Sequence, residues 1–216
     1  SDWIHIDVAS VLAQRDAAGS RYVALCHDII PLLYPQWFSE SDVRAFRRHF
    51  EQVFAGADRV LFTSRRTVED VSSWCAENGI ACADHRIVPL GADPFPAMAP
   101  ADLPPPLEAG RFAVFVSTVE PRKNHAMLVE AWRGLVRDGT VARTGFKLVF
   151  VGRKGWMMGD FFDRIAADPE LSGTLIHLQG IGDDVLAALY RDAAFCLYPS
   201  IYEGYGLPPI EALARG

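Results

Sequence analysis

The sequence predicts an α/β fold with parallel sheets, set out as two domains. Three observations carry that prediction. Short apolar runs rich in β-branched and aromatic residues alternate with helix-length runs along nearly the whole chain. One stretch, Gly91 to Glu108, holds six prolines, at 94, 96, 100, 104, 105 and 106, and can be neither helix nor inner strand. After it the alternation restarts. The chain of 216 residues, half of them apolar, suits one large domain or two small ones. The reading is a first domain over 1–90, a Pro-rich linker over 91–108 and a second domain over 109–216.

Each element has its own signal. Tyr22–Cys26 reads as a buried strand. Ser41–Ala55 reads as a helix with Ser39 or Ser41 as its cap, because a hydroxyl accepts from a first-turn amide. Arg59–Thr63 is the next strand, Thr67–Asn78 a helix closed by Gly79, and Arg86–Pro89 a short strand. Beyond the prolines, Phe112–Val116 is a strand and Asn124–Arg137 a helix, with Asn124 a fair N-cap. Then come strand Lys147–Val151, helix Asp160–Ala167, strand Leu175–Leu178, helix Asp183–Asp192 and strand Ala194–Tyr198. A last helix runs from Pro208 to Arg215, with Pro208 and Pro209 in its first turn, where a missing N–H costs nothing.

Composition excludes several classes. Lys plus Arg number 21 against 27 Asp plus Glu, a net charge of −6, which argues against a nucleic-acid binder. No apolar run is as long as a membrane span and no secretory signal is visible. None of the four cysteines forms a C-x-x-C pair. Cys26 and Cys196 lie in apolar runs as small hydrophobes; Cys75 and Cys82 are placed to approach one another, though nothing requires it. The reading is a reducing, cytosolic compartment without a zinc site.

The most informative stretch is Tyr198-Pro-Ser-Ile-Tyr-Glu203-Gly-Tyr-Gly-Leu-Pro-Pro-Ile-Glu211-Ala-Leu-Ala. Its order is strand, glycine loop, helix start. That arrangement belongs at the carboxyl edge of a sheet, where open α/β folds hold anionic ligands. Ionised carboxylates only accept hydrogen bonds, so Glu203 and Glu211 suit hydroxyl recognition. A ligand with a diphosphate and many hydroxyls, a sugar nucleotide, fits. Glutamates that merely favour a helix dipole are the plainer alternative. A second candidate is Glu120-Pro-Arg122-Lys123-Asn-His, after the restart strand. Two cations there would neutralise a diphosphate, although a solvated basic turn has the same spacing. Gly152-Arg153-Lys154-Gly155 repeats that arrangement after another strand, either as a further donor-binding loop on the same crevice or simply as a turn, and His27 follows the strand Tyr22–Cys26, although a lone histidine is more often structural than catalytic. Gly180-Ile-Gly182 is a turn, and no G-x-G-x-x-G marks a dinucleotide fold.

Together these stretches resemble glycosyltransferase family four, retaining enzymes of the two-domain GT-B architecture. The stretch Tyr198–Ala214 resembles the family signature, Glu120–Asn124 its phosphate loop, Cys26-His-Asp-Ile-Ile-Pro31 a donor-site histidine strand, and Arg86–Asp93 the crossover between domains. The resemblance implies two Rossmann-like domains with parallel sheets facing a cleft, and transfer of a hexose from a nucleotide-diphosphate sugar to an acceptor hydroxyl. It implies that Glu211 holds the ribose and that Glu203 faces the transferred sugar beside Gly204, Tyr205, Gly206 and Leu207. Glu120, Arg122 and Lys123 would form the diphosphate loop, and His27 would reach the sugar from the other domain. His27, Arg122, Lys123 and Glu203 are thereby the candidate catalytic residues. Ser117-Thr118 stands where the family carries Gly-Arg or Gly-Lys, which implies one cation fewer.

The Glu-Pro-Arg-Lys-Asn loop resembles bacterial mannosyltransferases of surface-polysaccharide assembly, so the first donor expectation is mannose from GDP-mannose. No Asp-x-Asp pair is present, and neither a metal nor a cofactor is expected. The expected acceptor is a saccharide or lipid-linked saccharide, with peripheral membrane association at the inner, cytoplasmic face. The resemblance places further strands before Ser1 and after Gly216. On that expectation both domains are incomplete, and the piece alone is inactive and self-associates. The competing readings are a sugar-nucleotide binder without turnover and a GT-B epimerase or phosphorylase.

Overall fold

The computed structural model describes residues 6–91 and 101–215; prolines 94, 96 and 100 lie outside the described residues, as do Ala92 and Asp93. Contacts divide the chain into two units. The first runs to Leu90 and includes Glu203–Tyr205; the second comprises Gly91–Tyr202 and Gly206–Gly216.

In the first unit the order is α1 (Val8–Ala18), β1 (Val23–Cys26), α2 (Ile30–Leu33), α3 (Glu40–Gly56), β2 (Arg59–Phe62), α4 (Arg65–Glu77) and β3 (His85–Ile87). The strands form a parallel sheet in the order β1-β2-β3. Helix α3 buries Phe46, Phe50, Val53 and Phe54, and α4 buries Thr67, Val71, Trp74 and Cys75. Both sets follow the spacing of one helical face, and they meet β1 and β2 residues Ala24, Cys26, Val60 and Phe62 in one core. Ser39 caps α3 by accepting from the Asp42 amide at 3.1 Å. Helix α4 starts earlier than its sequence suggests, because Ser64 caps it by accepting from the Thr67 amide at 3.0 Å. At its other end Gly79 adopts φ +67 and the Ile80 amide reaches back to the Cys75 carbonyl at 2.9 Å, a left-handed helix stop. That reversal carries Cys82 to Cys75, and the two form a disulfide with Cα atoms 6.4 Å apart. Cysteine usage therefore no longer carries the expectation of a reducing compartment. Helix α1 is absent from the sequence reading. It is alanine-rich and buries Val8 but shows no sustained apolar face, and its ends are set by Asp7 and by Gly19 at φ +60.

The second unit contains β4 (Phe112–Val116), a 3-10 turn Pro121–Lys123, α5 (His125–Arg137), α6 (Thr140–Thr144), β5 (Lys147–Val151), α7 (Phe161–Ala167), β6 (Leu175–Leu178), α8 (Asp183–Asp192), β7 (Phe195–Cys196) and α9 (Leu207–Leu213). The parallel sheet has the order β6-β5-β4-β7. Alternate residues of β4 and β5 face opposite sides. Ala113, Phe115, Leu148 and Phe150 pack with Leu128, Val129 and Trp132 of α5 and Phe161 of α7. Phe112, Val114, Val149 and Val151 pack with Leu189 and Tyr190 of α8, and Ala212 of α9 rests on them. Burial on both faces explains why these strands read as unbroken apolar runs. Strand β7 is shorter than expected, although the Leu197 amide still reaches the Val114 carbonyl at 2.8 Å. Past that point the chain turns from β4 to meet the Arg122 carbonyl through the Ile201 amide at 2.9 Å. Among the described residues no helix is long and apolar enough to cross a membrane.

Candidate functional site

The second sheet winds from β4 to β5 to β6, then returns to place β7 on the other side of β4. The connections that leave β4 and β7 therefore diverge at adjacent carboxyl ends. This is the switch point at which open parallel sheets hold ligands. The β4 exit carries Ser117 to Asn124 and the β7 exit carries Leu197 to Tyr202, and the two meet. Arg122 Nη1 donates to the Tyr202 carbonyl at 3.2 Å, Asn124 Nδ2 donates to the Pro199 carbonyl at 3.4 Å, and Lys123 Nζ lies 5.6 Å from the Tyr198 ring centre. The last is a cation–π distance.

Two residues of the β4 exit depart from their sequence expectations. Glu120 is 1 % exposed and its Oε1 pairs with Arg122 Nε at 2.6 Å, so it fixes the arginine from below and offers almost no surface of its own. A buried pair of this kind is costly to break from one side. Asn124 occupies the N-cap of α5 but does not cap it: it sits at φ +63 and its side chain reaches the β7 exit instead. Asparagine tolerates that left-handed backbone better than most residues. Lys123 is buried, and so is His125, whose ring packs on Phe115 and Phe150 at 4.4 and 4.9 Å. Burial first, then the charges of Lys123 and His177, lowers the His125 pKa from 6.5 to about 3, so the imidazole beneath this loop is neutral.

The loop after β5 is laced to the β4 exit by backbone. The Val119 amide donates to the Arg153 carbonyl at 3.0 Å and the Gly155 amide to the Val119 carbonyl at 2.9 Å. A Cβ on Gly152, which sits at φ +147, would stand 2.0 Å from the Ser117 carbonyl oxygen. The glycine is thus required by close backbone approach. Arg153 and Lys154 are exposed.

Glu211 lies in α9, where its Oε2 accepts from the Tyr190 hydroxyl at 3.0 Å. Pro208 and Pro209 carry no amide hydrogen, so the first turn of α9 has fewer donors than a helix start normally presents. Gly206, at φ +88, would bring a Cβ to 3.2 Å from the Tyr198 hydroxyl oxygen, and Leu207 begins α9 exposed.

Glu203, Gly204 and Tyr205 belong to the first unit together with His27. Gly204 is buried, and a Cβ there would stand 2.5 Å from the His27 carbonyl oxygen and 2.7 Å from Asp28 Cβ. Ser64 Oγ donates to the Gly204 carbonyl while accepting the Thr67 amide, and Thr67 Oγ1 donates to the His27 carbonyl at 3.1 Å. Tyr205 donates its hydroxyl hydrogen to the Leu90 carbonyl at 2.9 Å, and Glu203 is partly buried. The His27 side chain is exposed at the end of β1. The structure thus gathers Glu120, Arg122 and Lys123 with Tyr198–Tyr202, and separately groups His27 with Glu203–Tyr205. Sequence reasoning missed Tyr190, Ser64, Thr67 and His125. Only Ser64 carried a signal, as a serine three residues before a threonine at a helix start. Among the described residues no group of three or more His, Cys, Asp or Glu gathers as a metal site.

Comparison with known proteins agrees with this architecture. The serotype-specific mannosyltransferase WbdA of Escherichia coli is 33 % identical over 216 residues, an overlap of 92 % of this chain and 25 % of that protein. O-antigen chain mannosyltransferase B of Escherichia coli is 27 % identical over 91 % of this chain and 51 % of its own length. The chain therefore spans about a quarter of the first curated relative it matches. Among solved structures, an α,α-trehalose-phosphate synthase (UDP-forming) from Burkholderia xenovorans superposes with a TM-score of 0.65 at 17 % identity, over 94 % of this chain and 52 % of that one, which establishes a shared GT-B fold. Residues 105–216 match the family described as glycosyl transferases group 1, and with more than half its length so matched the chain belongs to that family.

Proposed function

We propose that this chain forms part of a retaining hexosyltransferase that moves mannose from GDP-mannose to a hydroxyl of a saccharide or lipid-linked saccharide. The observation that carries the reading is the meeting of the β4 and β7 exits, which holds Arg122 and Lys123 together at a sheet switch point. The chemistry that needs such a site is departure of a nucleoside diphosphate. Negative charge builds on the leaving phosphate, and cations already fixed in place stabilise it without reorganising; one such donor is worth about 10²–10³ in rate. Glu120 holds Arg122 for that task, and Lys123 supplies a second cation nearby. Glu211 accepts from the ribose hydroxyls. Glu203 and His27 would contact the sugar. The choice of mannose is supported by the names of the relatives above, both mannosyltransferases, and polysaccharide assembly by the second of them. With a lipid-linked acceptor the reaction belongs at the cytoplasmic face of a membrane.

The test is a thermal-shift panel of GDP-, UDP- and ADP-sugars with EDTA present, followed by a transfer assay. A ligand at a hundred times its Kd adds about 2.7 kcal/mol of stability. GDP-mannose should raise the melting temperature most, and Lys123→Ala should erase much of the preference for GDP over guanosine. No shift with any nucleoside diphosphate overturns the reading, and binding with neither transfer nor a released product reduces it to a sugar-nucleotide binder.

A further inference from the structure

We propose that Tyr190 is the positioning residue of the nucleotide site: its hydroxyl holds Glu211 in the one orientation that accepts ribose hydroxyls. The inference rests on the reading of Glu211 given above and deepens it. Tyr190 lies in α8 and is 5 % exposed, its ring set among Phe112, Val114, Val149, Val151 and Leu189 on one face of the second sheet. The ring is thereby fixed by packing on the rigid part of the unit. Its hydroxyl emerges at α9 and donates to Glu211 Oε2 at 3.0 Å.

The chemistry of the pair follows from its parts. A glutamate side chain has freely turning bonds, and ordering it on ligand binding costs entropy. A donor that already holds one carboxylate oxygen removes much of that cost and sets the plane of the group, leaving the lone pairs of Oε1 aimed in a single direction. Helix α9 holds the Glu211 backbone, but the side chain beyond Cα has to be oriented by a contact of its own. Burial, then the charge of Glu211, pushes the Tyr190 phenol well above its ordinary pKa of 10.0, so the hydroxyl stays a donor at any working pH. A tyrosine buried for packing alone would need only its ring; the directed hydroxyl bond is what a positioning role adds.

The experiment compares GDP with 2′,3′-dideoxy-GDP as ligands of the purified protein, the Tyr190→Phe and Glu211→Gln variants and the double variant. The unmodified protein should prefer GDP by about tenfold or more, and Glu211→Gln should lose that preference. Tyr190→Phe should cut it by about three- to tenfold while leaving the dideoxy affinity in place, and should add nothing in the Glu211→Gln background. Because the readout is a ratio of two ligands on one protein, any general loss of stability cancels. Equal weakening of both ligands in Tyr190→Phe, or a preference retained there but lost in Glu211→Gln, overturns the positioning role and leaves Glu211 standing. No preference in the unmodified protein overturns the Glu211 assignment, and this inference with it.

Discussion

Replacing His125 with leucine should flatten the acid side of the stability curve. His125 opens α5 directly behind the Arg122–Lys123 turn, is 1 % exposed, and is enclosed by Phe115, Phe150 and Phe161. Its pKa is lowered from 6.5 to about 3, first by burial and then by Lys123 and His177. The sign follows from proton counting. Below 6.5 the unfolded chain takes up a proton on this ring that the folded protein refuses, so stability is fully present above that value. It is lost progressively as pH falls toward about 3. Each pH unit in that window costs up to about 1.4 kcal/mol, so moving from pH 6.5 to pH 5 costs about 2 kcal/mol through this residue alone. His125→Leu keeps an apolar side chain in the pocket and removes the titration. The assay is urea unfolding of both proteins at pH 7 and pH 5. The unmodified protein should lose about 2 kcal/mol more than the variant, or about 4–8 °C in melting temperature. Equal losses would refute the neutral, buried imidazole.

Other outcomes follow from the same loops. Gly152→Ala should cost about 3 kcal/mol, because its Cβ would meet the Ser117 carbonyl oxygen at 2.0 Å on a backbone already at φ +147; a change below about 1 kcal/mol in denaturant titration would contradict the close approach. Glu120→Ala should cost about 3 kcal/mol by leaving the partly buried Arg122 without its 2.6 Å partner, with an Arg122→Met, Glu120→Met double variant recovering much of it. Unchanged stability in the single variant would mean that the pair does not hold the arginine.

The sequence by itself determined the layered α/β fold and many element limits. Phe112–Val116, Lys147–Val151, Leu175–Leu178 and Asp183–Asp192 fall at the residues their patterns indicate. Strands β4 and β5 are legible because burial on both faces leaves an unbroken apolar run, and α8 because acidic residues open it after a glycine. The sequence also singled out the β4 and β7 exits as candidate ligand loops, since glycines, cations and carboxylates after strands are local signals. What those side chains touch was not legible. Asn124 has the composition of a cap, yet it serves as a left-handed residue bonded to Pro199, 75 positions away. Glu120 looks like a ligand contact and is instead buried against Arg122. Tyr190 looks like ordinary helix core, and only the packing of α8 beside α9 brings its hydroxyl to Glu211. The weakly patterned α1 and the short β7 belong to the same class. Patterning reports which face of an element is apolar, a property of neighbours in the chain. Ion pairs, hydroxyl bonds and close backbone approaches are fixed by which elements end side by side, and that is decided only when the sheet order is set.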